Sequence, residues 1–167
     1  FLMRQRDPNY DRAGQGLRVK SAVPEGVNNH RGLAGVSPEK DVDGLVAANL
    51  SSRALGTSDE PHTASFFTPC TAKGIMALLD YYHSTVLGKK VCIIGRSSLV
   101  GMPTQLCLMT RGATVTNCDI NTVNRQHFVR DSDIVIASAG SPELVNKDWI
   151  KPGAIVVYDA YDDCELK

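Results

Sequence analysis

The sequence predicts a doubly wound, mostly parallel α/β sheet preceded by a partial second unit. Short continuous apolar runs at residues 91–94, 133–139 and 154–158 are bounded by turn residues, the pattern of strands buried on both faces. Segments with helical spacing separate these runs, so strand and helix alternate from residue 71 onward, as right-handed βαβ units require. A glycine-rich turn joins the first of the strands to the helix that follows it.

Each element has its own justification. Residues 1–35 are rich in Arg, Asn and Gly with weak apolar periodicity, and read as loops around one short strand at 17–19. Residues 37–68 also read as loop: Asp41, Asp43 and Gly44 supply turn chemistry, and Ser, Thr, Asp, Glu and Pro fill 51–62. Ile75, Met76, Leu78, Leu79 and Tyr82 then recur at helical spacing, with Thr71 as the expected N-cap and Gly88 as the stop, giving a helix over 71–87. Strand 91–94 follows, then a helix at 102–111 ended by Gly112, a β-rich run at 113–118 and a helix-like stretch at 121–130. Strand 133–139, a short helix at 143–150 packed on the sheet through Trp149, and strand 154–158 complete the chain. Two domains result: residues 1–68, whose stretch 37–68 holds nothing that could form a core alone, and residues 69–167, which include the helix at 71–87.

Composition narrows the classes of function. The 167 residues are 43% hydrophobic, enough to bury one core. Lys plus Arg equals Asp plus Glu at 18 each, so no overall field draws nucleic acid or an anionic membrane, and small molecules or proteins are the expected partners. No apolar run approaches the roughly 20 residues that cross a bilayer. Cys70, Cys92, Cys107, Cys118 and Cys164 are odd in number and widely spaced, which argues against a disulfide framework or a zinc site and for a reducing compartment, cytoplasmic or mitochondrial. The four histidines are scattered, with no spacing for a triad or a metal centre. The start at Phe1 leaves open a processed N-terminus, a removed presequence or further upstream sequence.

The segment with the clearest chemistry is Gly95-Arg96-Ser97-Ser98-Leu99-Val100-Gly101-Met102-Pro103. Glycines at 95 and 101 let backbone amides approach a diphosphate, Pro103 suits a first helical turn, and the helix N-terminus supplies positive potential. Lacking the G-x-G-x-x-G spacing, the turn alone is equally compatible with a tight strand-to-helix junction that binds nothing.

Further segments add context. Lys40-Asp41-Val42-Asp43-Gly44, then Pro69-Cys70-Thr71 with Gly74-Ile75-Met76 and Leu78-Leu79, then the Gly95 turn, resemble in order the signature blocks of the bifunctional methylenetetrahydrofolate dehydrogenase/cyclohydrolase (FolD-type) family. Ala113-Thr114-Val115-Thr116, Asp133-Ile134-Val135-Ile136 and Lys151-Pro152-Gly153-Ala154 extend the resemblance, which covers roughly residues 16–157. It implies a Rossmann-like NAD(P)-binding domain, with residues 1–68 as the remnant of a folate-binding domain. The implied activity is oxidation of 5,10-methylenetetrahydrofolate with NAD or NADP, often followed by hydrolysis of the methenyl product. By the same resemblance Asp43 stands where a carboxylate holds the pterin ring, the alternative being an Asx turn that caps Gly44. Gly95, Arg96, Ser97, Val100 and Gly101 would face the cofactor. Dimerisation through the nucleotide domains, with the strand at 113–118 as a contact, is also implied.

The chain departs from the pattern at functional positions. No Tyr-x-x-x-Lys pair, the family's proton-transfer centre, precedes Gly16. Lys20 falls where the catalytic glutamine belongs; a cation lacks the amide's acceptor, so Lys20 either substitutes for the missing lysine or is an exposed strand residue. Asp119 replaces the residue after the second strand, where a carboxylate repels a 2′-phosphate and accepts bonds from a ribose diol, favouring NAD over NADP. The family's Asp-Val-Gly-Ile-Asn is replaced by Tyr158-Asp159-Ala160-Tyr161-Asp162, Ala72 replaces a proline, and Ser51 replaces a glycine. The sequence therefore supports a catalytically impaired relative, with three readings open: an enzyme acting on a tetrahydrofolate derivative, a non-catalytic accessory subunit of a larger assembly, and a module that binds NAD(H) without chemistry.

Overall fold

The computed structural model describes residues 2–5, 16–19, 35–54, 67–138 and 145–159. The chain divides into two compact units, Phe1–Cys70 and Thr71–Lys167.

In the first unit, β1 (Leu2–Gln5) pairs antiparallel with β2 (Gly16–Val19), Leu2 opposite Val19 and Gln5 opposite Gly16. The strand expected near 17–19 is β2; Lys20, next in sequence, lies outside the described residues. A 3-10 turn at Pro38–Lys40 leads to α1 (Ala47–Ala54), which the sequence reads as loop. Asn49, Ser51 and Ser52 are indifferent helix formers, and the helix start is organised from outside by Asp41. This carboxylate is 4% exposed and accepts the Gly44 N–H (2.9 Å), the Val46 N–H (2.8 Å) and the Asn49 side-chain amide (2.8 Å). A buried carboxylate with three donors is satisfied, so the turn is held by a tertiary hydrogen-bond centre that local periodicity does not reveal.

The second unit is the predicted parallel sheet. Its four strands, β3 (Lys90–Ile94), β4 (Thr114–Cys118), β5 (Ile134–Ala137) and β6 (Ile155–Tyr158), run parallel in the order β4-β3-β5-β6. Val91 to Ile94 and all of β5 are buried, because both strands are central and covered on both faces; β4 and β6 lie at the edges and are only partly covered. Successive residues point to opposite faces and build two cores. Val91, Ile93, Ile134 and Ile136 pack with Ala72, Ile75, Met76 and Leu79 of α2 (Cys70–Tyr81) and with Cys107 and Leu108 of α3 (Gly101–Thr110). Cys92, Ile94, Val135 and Ala137 pack with Cys118 and with Val129 of α4 (Arg125–Asp131), with Trp149 against them. Each buried aliphatic side chain contributes about 2 kcal/mol by leaving water.

Boundaries shift where side chains compete with the helix. Helix α2 spans Cys70–Tyr81, within the stretch expected at 71–87, and Thr71 lies inside its first turn instead of capping it. Helix α4 starts at Arg125, not 121, because Asp119 organises residues 119–122 into an Asx turn and Asn124 is left-handed (φ 55). The described part of the expected helix at 143–150 is a 3-10 turn at Lys147–Trp149, with Asn146 accepting the Asp148 N–H. No described helix is long and apolar enough to cross a membrane.

Ion pairs close the N-terminal end of the sheet. Lys90 Nζ meets Asp131 at 2.9 Å and Lys151 Nζ meets Asp133 at 2.7 Å, while Asp133 also accepts the Lys90 N–H at 2.9 Å. These contacts hold the carboxyls of Asp131 and Asp133 below the usual range, the lysine hydrogen bonds being the largest cause, and raise Lys90.

Candidate cofactor site

The C-terminal end of the sheet is open. Backbone bonds tie the strand ends together there: the Gly95 N–H donates to the Cys118 carbonyl (2.9 Å) and the Ser138 N–H to the Ile94 carbonyl (2.8 Å). Above them lies a cleft of about 260 Å³ lined by Ile94, Gly95, Arg96, Ser97, Asp119, Ile120, Arg125 and Ser138. The chain crosses from β4 to β5 over β3 at this point, and such a crossing sets the ligand crevice of open α/β sheets. A larger groove of about 450 Å³ between α2 and β6, lined by Leu78, Leu79, Tyr82, Ser84 and β6, carries no charged side chain.

Two glycines shape the junction from β3 to α3. Gly95 has φ +123, and a Cβ there would stand 2.9 Å from the Ser138 carbonyl oxygen; a Cβ at Gly101 would stand 2.0 Å from the Gly95 carbonyl oxygen. Only glycine fits either place. Ser97 caps the helix: its Oγ accepts the Val100 N–H (3.1 Å) and the Gly101 N–H (3.5 Å), and its carbonyl accepts the Met102 N–H (3.0 Å). The amides of residues 96–99 donate to no acceptor among the described residues.

Charge in the cleft comes from three side chains. Arg96 is ion-paired with Asp119. The other oxygen of Asp119 accepts the Asn121 N–H and the Thr122 hydroxyl, both at 3.0 Å. Partial burial pushes the Asp119 carboxyl up, but these hydrogen bonds and the Arg96 charge outweigh it and hold it below the usual range. Burial pushes the neighbouring Cys118 thiol up while the Arg125 guanidinium opposes the shift, so Arg125 is close enough to act on the strand end. Cys92, whose Sγ is 3.9 Å from that of Cys118, is pushed up to about 12 by burial and stays a protonated, packing thiol.

Of the residues singled out from sequence, Gly95, Arg96, Ser97 and Asp119 meet in the cleft. Val100 and Gly101 hold it from behind: Val100 packs against the core that α2 and α3 cover, and Gly101 abuts the strand. Asp43 belongs to the first unit, half-buried in the turn that Asp41 holds. The Gly44 N–H goes to the Asp41 carboxylate, three residues earlier. Arg125 and Ser138 were not anticipated. Ser138 had a sequence signal, the first polar residue after a buried strand; Arg125 at a helix start reads as a solvent-facing charge.

A parallel, doubly wound sheet with a glycine-shaped strand-to-helix turn and a cleft at its switch point defines a nucleotide-binding type of α/β domain. Residues 69–161 match the tetrahydrofolate dehydrogenase/cyclohydrolase, NAD(P)-binding domain, and the chain belongs to that family. It is 35% identical over 157 residues to the bifunctional protein FolD 1 of Salinispora arenicola, covering 94% of this chain and 54% of that protein. With FolD 2 of Geobacter sulfurreducens it shares 39% over 149 residues, 89% of this chain and 50% of the relative. The crystal structure of Trypanosoma brucei FolD, complexed with NADP cofactor and inhibitor, is similar at a TM-score of 0.77 and 33% identity, over 89% of this chain and 49% of that one. The chain spans about half the length of the curated relatives it matches.

Proposed function

We propose that this chain is the cofactor-binding part of a methylenetetrahydrofolate dehydrogenase/cyclohydrolase-like protein of folate one-carbon metabolism, holding NAD or NADP in the cleft of Gly95, Arg96, Ser97 and Asp119. Family membership joined to an open, charged cleft at the switch point of the sheet carries the reading. The amides of residues 96–99 supply donors for a diphosphate, and Asp119 supplies acceptors for a ribose. Residues 1–68 are read as a remnant of the folate domain, residues 69–167 as the cofactor domain, and Asp43 as the carboxylate that meets the folate ring.

Catalysis in this reading is impaired. By sequence, Lys20 stands where the family has an amide, which removes a donor–acceptor pair from proton transfer, and Ala160 stands where it has a glycine, a residue that allows closer backbone approach. β4 is an edge strand, a ready surface for a homodimer or a larger assembly.

Isothermal titration of the full chain with NAD and NADP tests the binding: one site for at least one of them is expected, and no heat from either at millimolar concentration rejects the reading. Reduction of the dinucleotide in the presence of 5,10-methylenetetrahydrofolate tests impairment, with turnover expected several orders of magnitude below that of a two-domain relative.

A further inference from the structure

We propose that Arg125 is a specificity-determining residue of the cleft, the cation that lets it accept a phosphate on the 2′-oxygen of a nucleotide ribose. The inference rests on the dinucleotide reading and deepens it. From sequence alone Asp119 favours NAD by repelling that phosphate. In the folded chain the Asp119 charge is already spoken for: one oxygen is ion-paired with Arg96, and the other takes the Asn121 amide and the Thr122 hydroxyl.

Arg125 lines the same cleft and is half-buried, yet it enters no ion pair or hydrogen bond among the described residues. Two guanidiniums and one carboxylate leave the cleft with one positive charge in excess. A guanidinium that has shed part of its water without gaining an anion favours an anionic ligand group, best a phosphate. The location selects which phosphate. A carboxylate at the end of this strand marks the ribose hydroxyls of a bound dinucleotide, so a group on the 2′-oxygen comes beside Asp119, in the cleft that Arg96 and Arg125 both line. The diphosphate has its own donors in the turn after Gly95.

The test uses 5′-AMP and adenosine 2′,5′-bisphosphate, which differ only in the 2′-phosphate. Both are titrated calorimetrically into the full chain and into its Arg125→Leu and Arg125→Lys variants, with circular dichroism to verify the fold. The unaltered chain is expected to bind the bisphosphate at least as tightly as AMP. Arg125→Leu should weaken the bisphosphate about tenfold, the loss of one charge-assisted contact, and move AMP less than twofold; Arg125→Lys should keep most of the affinity. Without any variant, raising the salt concentration should weaken the bisphosphate more steeply than AMP. A tenfold or greater preference of the unaltered chain for AMP, or an Arg125→Leu effect equal on both ligands, overturns the inference while leaving the dinucleotide reading intact. Failure of both ligands to bind removes the dinucleotide reading itself.

Discussion

The two ends of the parallel sheet are built from the same kinds of residue and do opposite things. At the N-terminal end Lys90 and Lys151 each meet a carboxylate, those of Asp131 and Asp133, and the strand starts are closed. At the C-terminal end Arg96, Arg125 and one carboxylate, Asp119, line a cleft that stays open between strand ends tied through backbone bonds and the Ser138 hydroxyl. At one end each carboxylate holds a lysine across the strand starts; at the other, Arg96 holds Asp119 while Arg125, at the start of α4, lines the cleft beside them. The lesson is that a site shows itself less by its residue types than by what its neighbours leave uncompensated.

The comparison breaks most completely at the junction. Gly101→Val drives side-chain atoms into the Gly95 carbonyl, so a loss of at least about 3 kcal/mol is expected, read as a shift in the urea midpoint, together with loss of nucleotide binding. Asp119→Asn should sharpen the contrast by freeing Arg96: affinity for adenosine 2′,5′-bisphosphate should rise several-fold, and calorimetry showing a fall instead would mean that Asp119 contacts the ligand more than it restrains the arginine. Asp133→Asn, at the closed end, should lower Tm by less than Gly101→Val does and leave nucleotide affinity unchanged; a change in affinity would show that the two ends are coupled.

The smallest effect is in pH. Asp131 and Asp133 are held below the ordinary carboxyl value, so their stabilisation is complete above about pH 4 and is lost as pH falls through their lower folded values. Lys90 is raised, so its contribution is complete below about pH 10.4 and is lost as pH climbs through the folded value. On the alkaline side Cys92 and Cys118 act earlier: their buried thiols stay protonated while the unfolded ones ionise above about pH 8.5, so stability falls from there. A Tm series against pH should therefore be flattest between about pH 4 and about pH 8.5, and Asp133→Asn should make its acid side shallower.

The second unit was legible because its strands announce themselves. β3 and β5 are covered on both faces, and only unbroken apolar runs such as Val91-Cys92-Ile93-Ile94 survive there. Glycine gave away the junction, since no other residue tolerates the approach of Gly95 to Ser138 or of Gly101 to Gly95. What escaped is whatever depends on distant partners. Helix α1 is set up by Asp41, whose carboxylate accepts from Gly44, Val46 and Asn49; Ala47, Ala48, Leu50 and Ala54 favour a helix, but eight residues interrupted by Asn49, Ser51 and Ser52 are too few to read as one without that centre. The late start of α4 follows from the Asp119 turn and a left-handed Asn124, both local but invisible to apolar periodicity. In the cleft, Arg96 and Asp119 were each legible, but their pairing spans 23 positions in sequence, and no local pattern shows that the aspartate's charge is met by an arginine.

The contact of Gly101 with the Gly95 carbonyl reaches beyond stability. It sets the first turn of α3 against the end of β3, whereas Asp119 and Ile120 follow β4 and Arg125 opens α4, where the cleft wall is made of side chains and not of close-packed backbone. One wall of the cleft is therefore fixed by main chain that admits only glycine, and the other is open to exchange of side chains.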